Sequence, residues 1–180
     1  AVLHAQFEMI HPFLDGNGRM GRLLITLFLA SKKILHTPCL YISAYLQRHR
    51  GAYYASLAKI SKNNDWDTWI SFFLRAVVEH SRANASLLMK MTDLYEISKT
   101  QFAEATNSSL AMELLEYLFA QPIFTVPNLI NQTKVKASKA TLLLAVQKLE
   151  KAGLVTKISE GRGRRPTVWK FGALVDLIQD

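Results

Sequence analysis

The sequence predicts a mainly α fold in two parts, with one small β-hairpin towards its C-terminal end. Three observations carry that expectation. The segment from Asp65 to about Thr106 holds neither Gly nor Pro and repeats apolar residues at helical spacing. β-rich runs are confined to residues 154–159 and 167–171, on either side of a turn rich in Arg and Gly. A polar cluster, Ala105-Thr106-Asn107-Ser108-Ser109, separates the long helical region from a second set of elements and divides the chain into 1–107 and 108–180.

The elements follow in order. Residues 1–10 place Val2, Leu3, Phe7 and Ile10 at helical spacing, and His4 and Glu8, four apart, form a surface pair on that helix. A polar, Gly-rich stretch then leads into Arg19–Ile34, which reads as a mostly buried helix ending in Lys32 and Lys33. Residues 35–44 connect, with Cys39 as a buried packing residue. Residues 45–62 give one or two short helices broken near Gly51. The segment from Asp65 to Thr106 exceeds the length of an average helix, so a kink or two helices is expected there. Trp66 and Trp69 are core residues, and His49 and His80 lie on the surface. Beyond the boundary, residues 110–121 form an apolar helix stopped by Pro122. Val126–Gln132 is a short helix with Pro127 in its first turn, and residues 138–152 are a third, closed by Gly153.

Composition narrows the class. The 180 residues are 49% apolar and 20% charged, which suits a globular protein. A single cysteine rules out an internal disulfide framework and fits a reducing compartment such as the cytoplasm. The strongest apolar run, Leu23 to Ala30, is too short to span a bilayer, and no secretory signal precedes it, so no membrane association is expected. A net charge of +8 suits an anionic partner: a nucleotide, a nucleic acid or an acidic protein surface. The chain starts at Ala1 without an initiator Met and reads as part of a longer protein.

The chemistry concentrates in His11-Pro12-Phe13-Leu14-Asp15-Gly16-Asn17-Gly18-Arg19-Met20-Gly21-Arg22. Gly16 and Gly18 allow positive φ and close approach of a ligand. Their N–H groups and that of Asn17 can converge on an anion at a helix N-terminus, where the dipole favours phosphate. Arg19 and Arg22, three apart, can share one helix face and grip phosphate oxygens. Asp15 is a hard oxygen ligand suited to Mg²⁺. His11 brings an imidazole, the side-chain type suited to take a proton from an attacking hydroxyl. Phe13 and Leu14 are expected to anchor the loop in the core.

This stretch resembles the signature of the Fic family, His-Pro-Phe-x-(Asp/Glu)-Gly-Asn-Gly-Arg-x-x-Arg, and matches every fixed position. Two later stretches resemble the family as well: Ser43, Tyr45, Arg50, Tyr53, Tyr54 and Leu57, then Asp65-Trp66 to Leu74. The resemblance implies AMP transfer from ATP to a protein hydroxyl, of a separate target or of the protein itself. His11 would be the base and Asp15 the Mg²⁺ ligand. Gly16, Asn17 and Gly18 would bind phosphates, Arg19 and Arg22 the outer ones, and Tyr53 and Tyr54 would lie near the adenine. The phosphorylating Doc branch has Lys where this chain has Gly18, which favours AMP transfer; the motif leaves another phosphate-containing donor open. The family places several helices and a β-hairpin flap before the motif. Only ten residues precede His11, so the resemblance covers the C-terminal part of such a core. Thr156-Lys157-Ile158-Ser159-Glu160-Gly161 has the letters of the family's inhibitory helix but falls on an expected strand. It reads as coincidence, and an inhibitory segment is expected outside this chain.

The order of elements after residue 107 resembles a winged helix-turn-helix domain, which implies duplex DNA binding. Lys139 and Thr141 on the third helix, and Arg162, Arg164 and Arg165 on the wing, are the candidate contacts, with Lys134 and Lys136 nearby. The third helix lacks base-reading Arg or Asn at its middle and carries Leu142, Leu143 and Leu144 instead, of which one should be exposed. A packing or homodimerisation module is the competing reading. A DNA-binding regulator with a nucleotide-sensing or vestigial Fic part is thus the alternative to the enzyme.

Overall fold

Helix α1 (Val2–Ile10) runs into the motif and helix α2 (Asn17–Ser31) runs out of it. The computed structural model describes residues 1–35, 40, 42–132, 137–163 and 165–179. Cys39, Lys134, Lys136 and Arg164, singled out from the sequence, lie outside the described residues. Helices α3 (Ser43–Arg48), α4 (Arg50–Asn63) and α5 (Trp66–Thr106) follow. Then come α6 (Ala111–Ala120), β1 (Ile123–Phe124), α7 (Val126–Gln132), α8 (Lys139–Lys151), β2 (Thr156–Ser159), β3 (Val168–Lys170) and α9 (Gly172–Gln179). The fold is mainly α, as the sequence predicts, and the expected β2–β3 hairpin is extended by β1 into a three-stranded antiparallel sheet of order β1-β3-β2. No helix among the described residues is long and apolar enough to cross a membrane.

The chain divides into two compact units, Ala1–Ala85 and Ser86–Asp180, with the division inside α5. α5 runs as one continuous helix of 41 residues rather than two. Its length follows from the absence of Gly and Pro and from apolar positions that serve a different core in each half. Trp69, Phe73 and Ala76 join the core of the first unit, and Phe102 joins that of the second.

In the first unit, Ile25, Ile42, Tyr45, Leu46, Tyr53, Ile60, Trp69 and Phe73 form the core. Three expectations fail here. α2 is not mostly buried: Asn17, Gly21, Ile25 and Thr26 form its one buried strip, while Leu23, Leu27 and Phe28 are exposed. α1 does not bury its apolar stripe either. Val2, Leu3 and Ile10 are exposed, and His4 and Ala5 are the buried residues. Gly21 explains the choice, because a Cβ there would sit 2.5 Å from Glu8 Oε1 and 3.1 Å from the His4 ring. The missing side chain is what lets α1 lie against α2 on its polar face. His4 and Glu8 are consequently no surface pair. His4 is 1% exposed, and its Nε2 lies 3.0 Å from the Tyr53 hydroxyl and 3.9 Å from Glu8 Oε1. Its ring stacks on Trp69 at 5.9 Å.

In the second unit, α6, α7 and α8 and the sheet enclose a core of Leu114, Leu115, Leu118, Phe124, Leu129, Leu142, Val146, Leu149, Trp169 and Phe171. Ser138 caps α8, its hydroxyl accepting the Thr141 N–H at 3.1 Å, and Gly153 takes φ 75 just past the helix end. Of the three leucines, Leu142 is buried and Leu143 and Leu144 are exposed, because only one of three successive helical positions faces the core. The stretch Thr156–Gly161 begins with strand β2, so its inhibitory-helix letters carry no helix. β1 and α9 have no counterpart in the sequence reading. His49 is exposed as expected, whereas His80 is half-buried with Nε2 fully enclosed.

Candidate active site

The motif is a tight loop stapled from within. The buried Asn17 side chain accepts the Phe13 N–H through Oδ1 at 2.9 Å and returns Nδ2–H to the Phe13 carbonyl. That bidentate contact closes residues 13–17 into a ring and commits the amide side chain to structure. Gly16 takes φ 83 as the N-cap of α2, where a side chain would be strained. The first intrahelical bond runs from Met20 N–H to the Gly16 carbonyl at 3.0 Å. The N–H groups of Asn17, Gly18 and Arg19 therefore sit in the first turn without helical acceptors, at the positive end of the dipole. Phe13 and Leu14 do not anchor the loop in the core. Phe13 leans on Phe7 at 6.3 Å and remains half exposed, and Leu14 is fully exposed. The Asn17 staple fixes the loop in their place.

His11 closes α1 in the left-handed region, φ 50 and ψ 55, its N–H bonded to the Phe7 carbonyl at 3.0 Å. That conformation costs a non-glycine residue about 1 kcal/mol and turns the imidazole back over the helix end. Nδ1 lies 3.3 Å from the Glu8 carbonyl. A carbonyl only accepts, so this contact is a hydrogen bond in the tautomer with the proton on Nδ1, which leaves the lone pair on Nε2 of an exposed ring. Asp15 is exposed; its Oδ1 accepts the Gly16 N–H at 2.7 Å, and its Oδ2 lies 3.4 Å from Arg19 Nη2. Arg22 folds back along α2, so that its Nη1 stands 3.2 Å from where a Gly18 Cβ would be.

These groups line one cleft of about 390 Å³, formed by His11, Leu14, Asp15, Gly16, Asn17, Gly18, Arg19 and Arg22 together with Gln47, Arg50 and Tyr54. A second cleft of about 360 Å³ shares Arg22, Gln47, Arg50 and Tyr54 and extends to Ser43, Leu46 and Tyr53. The two tyrosines differ. Tyr53 is 5% exposed with its hydroxyl at His4, and Tyr54 is 55% exposed and packs edge-on against Tyr53 at 5.0 Å. Tyr54 is the ring offered to the cleft. Gln47 and Arg50 entered no candidate site on sequence; Arg50 stands in the second family-like stretch, eight residues after a buried Ile42.

Beneath the cleft, burial pushes His4 down to about 4, with the Gly21 carbonyl opposing, so its imidazole stays neutral in the physiological range. Burial raises the Glu8 carboxyl, and the Arg22 and His11 charges oppose it. Burial also raises the Tyr53 hydroxyl, helped by the nearby Glu8 charge, so Tyr53 holds its proton.

Among the described residues no cluster of three His, Cys, Asp or Glu side chains can cage a metal ion. Asp15 alone fits the other style of Mg²⁺ site, in which one carboxylate joins water and substrate phosphates. Its open position at the cleft mouth suits that role.

In the second unit Lys139, Thr141, Arg162 and Arg165 are all exposed. The Thr141 hydroxyl is engaged with Ser138 at 2.8 Å in the α8 cap. Arg162 and Arg165 face each other across an isolated antiparallel bridge that closes the hairpin.

Comparison with known proteins agrees with the loop chemistry. Residues 1–29 match the Fic/DOC family. A protein of Aquifex aeolicus named "Probable protein adenylyltransferase" is 42% identical over 55 residues, 28% of this chain and 17% of that protein. A Fido domain-containing protein of Dictyostelium discoideum is 67% identical over 30 residues, 17% of this chain and 20% of that protein. The chain thus spans about a fifth of the length of these curated relatives. The family match takes in α1, the loop and most of α2, the segment that carries the cleft's motif residues.

Proposed function

We propose that this site transfers AMP from ATP to a Ser, Thr or Tyr hydroxyl of a protein, either a separate target or the chain itself. The observation that carries the reading is the pairing of an exposed His11 with a stapled helix N-terminus in one cleft with two motif arginines. The N–H groups at Asn17–Arg19 and the guanidiniums of Arg19 and Arg22 would hold the polyphosphate and stabilise charge that builds on it. Mg²⁺ held by Asp15 would supply further charge neutralisation there. The hydroxyl oxygen forms a bond to the α-phosphorus while the bond from that phosphorus to the bridging oxygen breaks. The hydroxyl proton passes to His11 Nε2, and pyrophosphate leaves. Little covalent work falls to the protein, so positioning and electrostatics dominate. Tyr54 offers a planar ring for the base, and Tyr53 supports it from the core.

The test is to supply ATP labelled at either the α- or the γ-phosphate. Label retained on protein from the α-position alone supports AMP transfer. Label from the γ-position alone means phosphoryl transfer, and no label on a protein that binds ATP contradicts the reading.

The second unit supports a second reading, duplex DNA binding in the manner of a winged helix. The α7–α8 pair followed by the β2–β3 hairpin, with exposed Arg162 and Arg165 at its tip, favours it. Affinity for a DNA duplex that falls steeply with salt and is lost on changing both arginines to Ala would support this reading; no binding at low salt would end it.

A further inference from the structure

Arg50 breaks two local rules at once. It is the first residue of α4, where the helix dipole disfavours a cation by about 0.3–1 kcal/mol, and no side-chain cap offsets this. Among the described residues no carboxylate lies within ion-pair distance of it. Its guanidinium lies over the face of Tyr54, 5.5 Å from guanidinium carbon to ring centre. It also lines the same cleft as Arg19 and Arg22, so three guanidiniums and His11 face a space whose lining includes one acid, Asp15. An arrangement that repels itself when empty is expected where an anion completes it.

We infer that Arg50 is a third polyphosphate-binding residue of this site, supplied from outside the motif by α4 and held ready by Tyr54. This rests on the reading of the cleft as a nucleoside triphosphate site. Arg50 belongs to both clefts, the one with the Gly16–Gly18 loop and the one with Tyr53, and Gln47 accompanies it in both. The contact with Tyr54 orients the planar guanidinium, so less side-chain freedom remains to be lost when a phosphate arrives. The consequence is selection by charge. Ligands with several phosphates gain from Arg50, and a nucleoside without phosphate does not.

The test is calorimetric titration of the full 180-residue chain, as wild type, Arg50→Ala and Arg50→Lys, with ATP, adenosine and inorganic tripolyphosphate, each with Mg²⁺. Circular dichroism confirms that each variant is folded. The expected result is a loss of roughly tenfold or more for ATP and tripolyphosphate in Arg50→Ala, with adenosine unchanged. Arg50→Lys should recover part of the loss, because it restores the charge without the planar fork. Equal affinity of wild type and Arg50→Ala for tripolyphosphate overturns the inference. So does an equal loss for adenosine, which would make Arg50 a support for the base or the fold. Arg50-dependent binding of tripolyphosphate without AMP transfer would refute the transfer reading and leave the inference standing. A wild-type chain that binds no polyphosphate overturns both.

Discussion

The two units bury different kinds of residue. In the first, His4, Asn17, Thr26 and Ser56 are buried together with the apolar core, and Leu14, Leu23, Leu27 and Phe28 are exposed. In the second, the enclosed side chains are mostly aliphatic and aromatic, with Ser98 and Thr106 the buried polar residues among those described. Most polar burials of the first unit have a positional task. Asn17 closes the loop, Thr26 donates its hydroxyl to the Leu40 carbonyl at 2.6 Å, and His4 meets Tyr53 under α2. Interior volume there holds the loop at the head of α2 in shape, whereas the interior of the second unit mostly packs.

Core truncation in each unit sharpens that contrast most. Trp69→Ala should cost about 3–5 kcal/mol and Leu142→Ala about 2–5 kcal/mol, read by chemical denaturation. Trp69 stacks on His4 and packs against Tyr53, so its loss should also weaken ATP binding. Leu142→Ala should leave ATP binding unchanged in the folded fraction. Equal effects of the two on ATP binding would break the comparison.

Acid offers the next largest effect. His4 has a folded pKa of about 4 against an ordinary value of 6.5. The unfolded chain therefore gains a proton below pH 6.5 that the folded chain refuses. Stability contributed by neutral His4 is present above pH 6.5, falls as pH drops from 6.5 to 4, and levels off below that, for a total of about 3 kcal/mol. His4→Gln should flatten this part of a denaturation profile measured between pH 4 and 7.

Gly21→Ala should be smaller, about 1–3 kcal/mol, because the new methyl meets Glu8 and His4 and must displace them. Thermal unfolding reads the loss. Gly51→Ala is the control, since a Cβ there meets nothing within 4 Å.

Much of this was legible in the sequence, and the failures share a cause. The loop was readable because its chemistry is local: twelve consecutive residues carry the glycines, the acid, the base and the arginines. Helices α6, α7 and α8 were readable from Pro122, Pro127 and Gly153, which punctuate them. The buried face of α1 was not, because periodicity assumes that apolar residues are the ones buried, and here a missing Cβ on another helix selects His4. The Asn17 staple was hidden for a similar reason: an amide in a phosphate loop reads as a ligand donor before it reads as a brace. β1 has two residues, too few for any alternation to register. Arg50 required knowing that α4 starts there and which cleft lies before it; the sequence signals were its place in the family-like stretch 43–57 and the lack of an acid nearby in the chain.

The most direct test of the central claim is the intact mass of the protein after incubation with ATP, Mg²⁺ and an acceptor protein, beside His11→Ala. Loss of a general base typically lowers rate by about 10²–10⁴-fold. The account predicts an AMP-sized adduct with wild type, on the chain or on the acceptor, and none with His11→Ala, although both proteins bind ATP with similar affinity. An adduct forming at the wild-type rate in His11→Ala would contradict it.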